Sequence, residues 1–187
     1  MAKVYEFLAN GFEDIEALAP VDILRRGGVD VVTVSINETE AVVSAHGVTV
    51  LADAVIADFI DFADADLLLL PGGMPGAANL HACQPLCEAL VRQAESRRRI
   101  GAICAAPYVL GELGLLEGKR ATCYPGFESH LKGAEYTADL VTTDDIFTTA
   151  KGPAAALPYG YQLLSYFVPQ AEVDAIKAGM IYTELVG

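Results

Sequence analysis

Cysteine is the side chain best suited to attack a carbonyl or a peroxide near neutral pH, and Cys104 lies where the chain changes character. Arg99 to Pro107 reads R-I-G-A-I-C-A-A-P. Ile100 to Ile103 predicts a short buried strand, and Ala105, Ala106 and Pro107 the opening of a helix. A cysteine at such a junction meets unpaired backbone N–H groups and the positive end of a helix dipole. Both favour the thiolate, which is the nucleophile. The other common role of a free cysteine is that of a small buried hydrophobe.

A nucleophile needs a group to tune it and donors for the oxyanion it creates. Pro71-Gly72-Gly73 follows an apolar run, and with no Cβ its N–H groups approach a ligand closely. Gly73 and the amide of Ala105, just after the cysteine, are the natural donors. For tuning, Glu13, Asp14 and Glu16 open a helical segment. Glu16, beside apolar Ile15 and on a different face from Glu13, is the acid expected to point inward. Buried there, it would tend to be protonated and donate to the sulfur. A solvated acid at a helix N-terminus is the alternative. The histidines, His46, His81 and His130, do not follow Cys104 directly and lack the H-x-E spacing of a Cys-His-Glu triad. His130 follows the Tyr124-Pro125-Gly126-Phe127-Glu128 loop, which could reach the site or lie on the surface. Cys83 and Cys87 fall near His81, but the C-x₂-C knuckle and fourth ligand of a zinc site are lacking, and no metal is expected. P-G-G-M-P-G-A lacks the G-K-[ST] of a phosphate loop, so no nucleotide cofactor is implied.

The elements that must position these residues alternate. Strands are expected at Lys3 to Leu8, Val29 to Ile36, Leu67 to Leu70, Ile100 to Ile103 and Arg120 to Cys123. Helices are expected at Glu13 to Arg26, Gln84 to Ser96, from the cysteine to Leu113, Ala154 to Phe167 and Gln170 to Ala178. Pro20 should kink the first helix or begin a second, because it lacks the N–H an interior turn needs. Two hairpins are expected, Ala41 to Ser44 with Val48 to Leu51, and Leu140 to Thr143 with Ile146 to Ala150. Val55 to Ala65 has no clean period. Alternation of this kind predicts one doubly wound α/β/α domain over residues 1–187 with a mostly parallel sheet. Sites in such folds lie at the carboxyl ends of strands, where Asn10-Gly11, Pro71-Gly72-Gly73 and Cys104 would converge.

Composition narrows the partners. The 187 residues carry a net charge of −13, from 25 acids against 12 bases, which repels a phosphate backbone and disfavours duplex nucleic-acid binding. No apolar run approaches the roughly 18 residues that span a bilayer. The start lacks the apolar core of a signal peptide, and four irregularly spaced cysteines suit a reducing compartment, so the cytoplasm is expected.

Together these motifs resemble the ThiJ/PfpI superfamily, with its glutamine-amidotransferase-like domain, in the branch of the parkinsonism-associated deglycase and its bacterial relatives. The likeness rests on N-G-F-E-D-I-E (Asn10 to Glu16), P-V-D-I-L-R-R-G-G (Pro20 to Gly28) and L-L-P-G-G-M-P-G-A-A-N-L (Leu69 to Leu80). It continues through A-I-C-A-A-P (Ala102 to Pro107), T-C-Y-P-G-F-E (Thr122 to Glu128) and K-G-P-A (Lys151 to Ala154). The resemblance implies a flavodoxin-like fold, a homodimer and a reactive cysteine at Cys104. Glu16 would contact the thiolate, with Gly73 and Ala105 as oxyanion donors. Gly72, Tyr124 and His130 are pocket candidates. It also implies a cofactor-independent enzyme acting on small carbonyls or glycated amines and thiols, a deglycase or glyoxalase. A redox-sensing stress protein or chaperone using the same cysteine is the alternative. Some members carry a histidine where Tyr124 stands, and the protease-like members carry one directly after the cysteine, where Ala105 stands. Tyr124 is a poor base near neutral pH, so a Cys–His mechanism is disfavoured.

Overall fold

Leu67–Leu70 (β6) is the centre of the protein, four consecutive leucines all buried. An uninterrupted apolar strand suits a parallel sheet covered on both faces. In the computed structural model, which describes residues 2–186, this strand lies between β1 (Lys3–Leu8) and β7 (Arg99–Ile103). Beyond β1 come β2 (Asp30–Ser35) and β5 (Ala54–Val55); beyond β7 comes β11 (Phe147–Ala150). These strands pair in parallel, and only the edge strand β10 (Val141–Asp144) is antiparallel, in the expected hairpin with β11.

Successive side chains of a strand point to opposite faces, so β6 feeds two cores. Leu68 and Leu70 pack with Leu80, Leu86, Leu90, Val109 and Leu110 from α2 (Gly76–Ala82), α3 (Gln84–Glu95) and α4 (Pro107–Glu112). Leu67 and Leu69 pack with residues of α1 (Asp14–Arg26), α5 (Ala156–Leu164) and α6 (Gln170–Gly179). Each fully buried leucine contributes about 1.5–3 kcal/mol relative to exposure. The result is the doubly wound α/β/α sandwich expected from the alternation.

Several boundaries differ from the sequence reading. Pro20 lies inside α1, a single helix that runs past it, so no second helix begins there. The segment at Arg120 to Cys123 forms only β8 (Arg120–Ala121), which pairs with β9 (Glu135–Tyr136) in a separate two-stranded sheet. The hairpin of β3 (Ala41–Val43) and β4 (Thr49–Leu51) likewise stands apart from the main sheet. Ala154 to Phe167 resolves into a 3₁₀ turn followed by the shorter α5. The short α2, β5, β9 and α7 (Tyr182–Val186) lack a periodic signature long enough to read.

The chain leaves β1 in one direction to β2 and β5, then returns to the other side of β1 to build β6, β7 and β11. That reversal lies between β1 and β6, and the crevice outside their carboxyl ends is the position where such sheets bind ligands.

Candidate active site

The carboxyl ends of three adjacent strands meet in this crevice. After β1 the chain turns at Asn10-Gly11, after β6 at Pro71-Gly72-Gly73, and after β7 at Cys104. Gly11 accepts from the N–H of Gly76 through its carbonyl, and Glu13 donates its N–H to the Gly72 carbonyl (3.1 and 3.0 Å). The first and second turns are thereby stitched together.

Glu13 also sets the start of α1. It is the N-cap, and its carboxylate accepts from the N–H of Glu16 at 2.8 Å. This cap fixes the phase of the helix so that Glu16 turns inward and is 0% exposed. Neighbouring Ile15 is 54% exposed, so the inward acid owes its position to the cap and not to an apolar neighbour. Glutamate is not among the side chains favoured at N-caps, so its residue type does not announce the role of Glu13.

Cys104 adopts φ +64°, the left-handed region, which costs a non-glycine residue about 1–2 kcal/mol. Its surroundings hold it there. The Cys104 N–H donates to the Ala150 carbonyl, and its carbonyl accepts from the Tyr124 N–H, both at 2.8 Å. The helix opens later than the sequence suggests: Cys104, Ala105 and Ala106 form a turn, and α4 starts at Pro107. The N–H groups of Ala105, from that turn, and of Gly73, from the turn after β6, bear on the sulfur. Gly73 reaches it with φ +86°, a conformation that glycine adopts freely.

Cys104 and Glu16 meet across Gly72. A Cβ built on Gly72 would lie 2.5 Å from Glu16 Oε2 and 2.6 Å from Cys104 Cβ. The two groups shift each other's ionisation, yet no hydrogen bond of good geometry joins them, and both Glu16 oxygens are buried without a partner. Burial pushes the Glu16 carboxyl up to about 7, assisted by the charge of Glu13 and opposed by the Cys104 thiol and the Gly72 N–H. Cys104 differs from the expectation of a readily formed thiolate. Burial first, and then the neighbouring Glu16 charge, push the thiol well above its ordinary value, against the pull of the Gly73 and Ala105 N–H groups. The helix is short and Cys104 is only 8% exposed, so desolvation outweighs the dipole. The pair therefore loses one proton readily and the second with difficulty.

Gly72→Ala is expected to drive these two groups apart. It should cost about 1–3 kcal/mol in thermal or denaturant unfolding, the usual penalty of overpacking, and slow alkylation of Cys104.

The other sequence candidates divide. Tyr124 is exposed and reaches the elbow through its backbone N–H; its ring lies against Gly152. With Pro125, Leu140 and Pro153 it lines an apolar groove of about 240 Å³. His130 is not part of the pair. Its Nδ1 lies 3.0 Å from Glu112, and its ring packs against Tyr108 and Phe127. Among the described residues, the metal-ligand atoms within 4.8 Å of one another belong to Glu13, Asp14 and His46, and His81 does not join Cys83 and Cys87 in such a group. Glu13 serves as the cap, and Asp14 pairs with His46 at 2.7 Å, which raises the imidazole above its usual value. No helix among the described residues is long and apolar enough to cross a membrane.

Comparison with known proteins finds relatives that match most of the chain. The chain is 35% identical over 181 residues to protein DJ-1 homolog B of Arabidopsis thaliana, covering 96% of this chain but 41% of that relative. The chain thus spans less than half the length of that plant protein. It is 33% identical over 154 residues to the glutathione-independent glyoxalase DJR-1.2 of Caenorhabditis elegans, covering 81% of each. Oxidized DJ-1 of Toxoplasma gondii superposes with a TM-score of 0.90 at 31% identity, covering 97% of this chain and 98% of that one. A DJ-1 superfamily protein from Salmonella typhimurium superposes at 0.92 with 32% identity, covering 97% and 98%. The DJ-1/PfpI family pattern matches residues 2–166, and the chain belongs to that family.

Proposed function

We propose that the protein is a cofactor-independent glyoxalase or deglycase, acting on small 2-oxoaldehydes or their adducts with amines and thiols. The observation that carries this reading is a fully buried Glu16 carboxyl facing Cys104 on a strained turn. Burying an acid is costly, and folding alone gives no reason to retain one here. The Caenorhabditis relative, named a glutathione-independent glyoxalase, supports the same chemistry.

Glu16, ionising near neutral pH, takes the thiol proton as Cys104 sulfur attacks the aldehyde carbon. The C–S bond forms, the carbonyl π pair moves to oxygen, and the Gly73 and Ala105 N–H groups receive that charge. For a glyoxalase, Glu16 first returns its proton to that oxygen, then takes the C1 proton and delivers it to C2 as the hydroxyl proton passes from the C1 to the C2 oxygen, leaving a thioester that water hydrolyses to a 2-hydroxy acid and free Cys104. For a deglycase, Glu16 gives its proton to the amine or thiol as the bond from carbon to that group breaks. The test is conversion of methylglyoxal to lactate without glutathione, compared between wild type and Cys104→Ala. Equal rates would overturn the reading.

A second reading, a redox sensor or stress chaperone, uses the same pair: a sulfinic acid on Cys104 could accept a hydrogen bond from protonated Glu16. Its requirement is oxygen addition confined to Cys104 after mild peroxide, seen by intact mass and peptide mapping.

The homodimer implied by the family is proposed to form through α1 and the β3–β4 hairpin. There Ile15, Leu18, Val43, Val48 and Leu51 present apolar surface, Leu51 being 74% exposed. Leu51→Asp with Val48→Asp should convert the dimer to a monomer in light scattering while leaving the circular dichroism spectrum unchanged. A wild-type monomer at micromolar concentration would contradict it.

A further inference from the structure

Cys83 and Cys87 lie outside the site, on the opposite layer of the sandwich. Cys83 ends α2 and is the N-cap residue of α3, with extended backbone at φ −81° and ψ 96°. The Cys87 N–H donates to the Cys83 carbonyl at 3.0 Å, so the two stand one helical turn apart on one face. Four residues at helical rise separate their Cα atoms by about 6 Å, within the span a disulfide bridges. Side chains of a helix lean toward its N-terminus. Cys87 does so: its thiol donates to the His81 carbonyl at 3.2 Å, two residues before Cys83. Both thiols are free and half-buried, and Cys87 also lines an apolar surface groove of about 310 Å³ with Val91 and Leu113.

We infer that Cys83 and Cys87 are a redox-active dithiol that closes reversibly to a disulfide at the α2–α3 junction, independent of Cys104. Burial raises both thiols above their ordinary value. The Leu86 N–H draws Cys83 back down, whereas the charge of Cys83 pushes Cys87 further up. Cys83, the N-cap residue of α3 with the Leu86 N–H facing its sulfur, is the attacking thiol, and Cys87 resolves. With a small disulfide R–S–S–R as oxidant, Cys83 thiolate forms an S–S bond to one sulfur and releases R–S⁻. Cys87, losing its proton, then attacks the Cys83 sulfur and releases the second R–S⁻. Two protein thiols are oxidised, one small disulfide is reduced to two thiols, and the two protons are shared between the products. Excess small thiol reverses both steps.

The test uses the full chain carrying Cys104→Ala, equilibrated anaerobically with oxidised glutathione, quenched with N-ethylmaleimide and digested with trypsin. Cys83 and Cys87 fall in one tryptic peptide, residues 27–92, and Cys123 in another. The peptide 27–92 should lose two hydrogens and take no N-ethylmaleimide, and dithiothreitol should restore two sites of labelling. Cys83→Ser and Cys87→Ser, each added separately, should abolish the hydrogen loss and leave a glutathione adduct or a free thiol. A stable glutathione adduct with Cys87 still labelled would overturn the inference. So would two labelled thiols after full equilibration, or a disulfide to Cys123 or between chains.

Discussion

Cys104→Ala is expected to abolish glutathione-independent conversion of methylglyoxal, with a loss on the order of 10³-fold or more, while leaving the fold in place. The size of the loss follows from the chemistry: Cys104 is the nucleophile that faces Glu16 across Gly72. Folding should be nearly indifferent. Alanine keeps the φ +64° strain, and the bonds that hold the turn, to Ala150 and from Tyr124, are made by backbone atoms. Unfolding midpoint should therefore stay close to wild type. Cys104→Gly sharpens the comparison, because glycine relieves the left-handed strain and should raise stability by up to about 1 kcal/mol while being just as inactive. A Cys104→Ala variant that retained turnover would move the chemistry elsewhere. One that failed to fold would show the thiol to be a packing residue first.

The architecture was legible because its signals are strong and local. Leu67–Leu70 is an unbroken apolar run, and long periodic helices such as α3 alternate with it. What escaped were elements set by tertiary contact. The short α2 and the two-residue β9 owe their form to what they pack against. β8 resembles a core strand in composition, yet its partner is β9 and not the main sheet. At the site, Cys104, Glu16, Gly72, Gly73 and Ala105 were named from residue type and turn position, and they do converge. His130 was named from its loop, but a loop says little about direction, and Glu112 holds that ring on the flank of α4. Tyr124 contributes its backbone to the elbow, a role no side-chain identity announces. The balance of electrostatic effects on Cys104 was not legible. A strand-to-helix junction suggests a stabilised thiolate, whereas burial beside an acid reverses the sign, and burial depth is a property of the assembled sandwich.

That reversal makes Glu16→Gln the most discriminating substitution. In the wild type, the pair loses its first proton near pH 7, where burial has brought the Glu16 carboxyl, and only then is a base present to accept the thiol proton. Alkylation of Cys104 by iodoacetamide, and methylglyoxal turnover, should both rise through that pH. Glu16→Gln removes the base, so the step near pH 7 should vanish and turnover should fall by about 10²-fold or more. Reactivity should instead climb only in the alkaline range, because burial still raises the thiol even with the Glu16 charge gone. Stability moves the opposite way. The carboxyl is raised from its ordinary 4.5 to about 7 in the folded state, so the folded state holds the proton more tightly. Its stabilising contribution is complete below about pH 4.5 and is lost as pH rises to about 7, a span worth about 3 kcal/mol. Glutamine cannot ionise, so the difference in unfolding free energy between variant and wild type should grow in favour of the variant across that window and then level off. Titrating groups remote from Glu16 act on both proteins alike and cancel in the difference, and the raised Cys104 thiol stays protonated across that window. A variant that is less active and more stable at pH 8, with both effects developing over the same pH range, identifies Glu16 as an acid held buried for its chemistry. Parallel stability curves and unchanged alkylation profiles would show that Glu16 does not exchange a proton with Cys104.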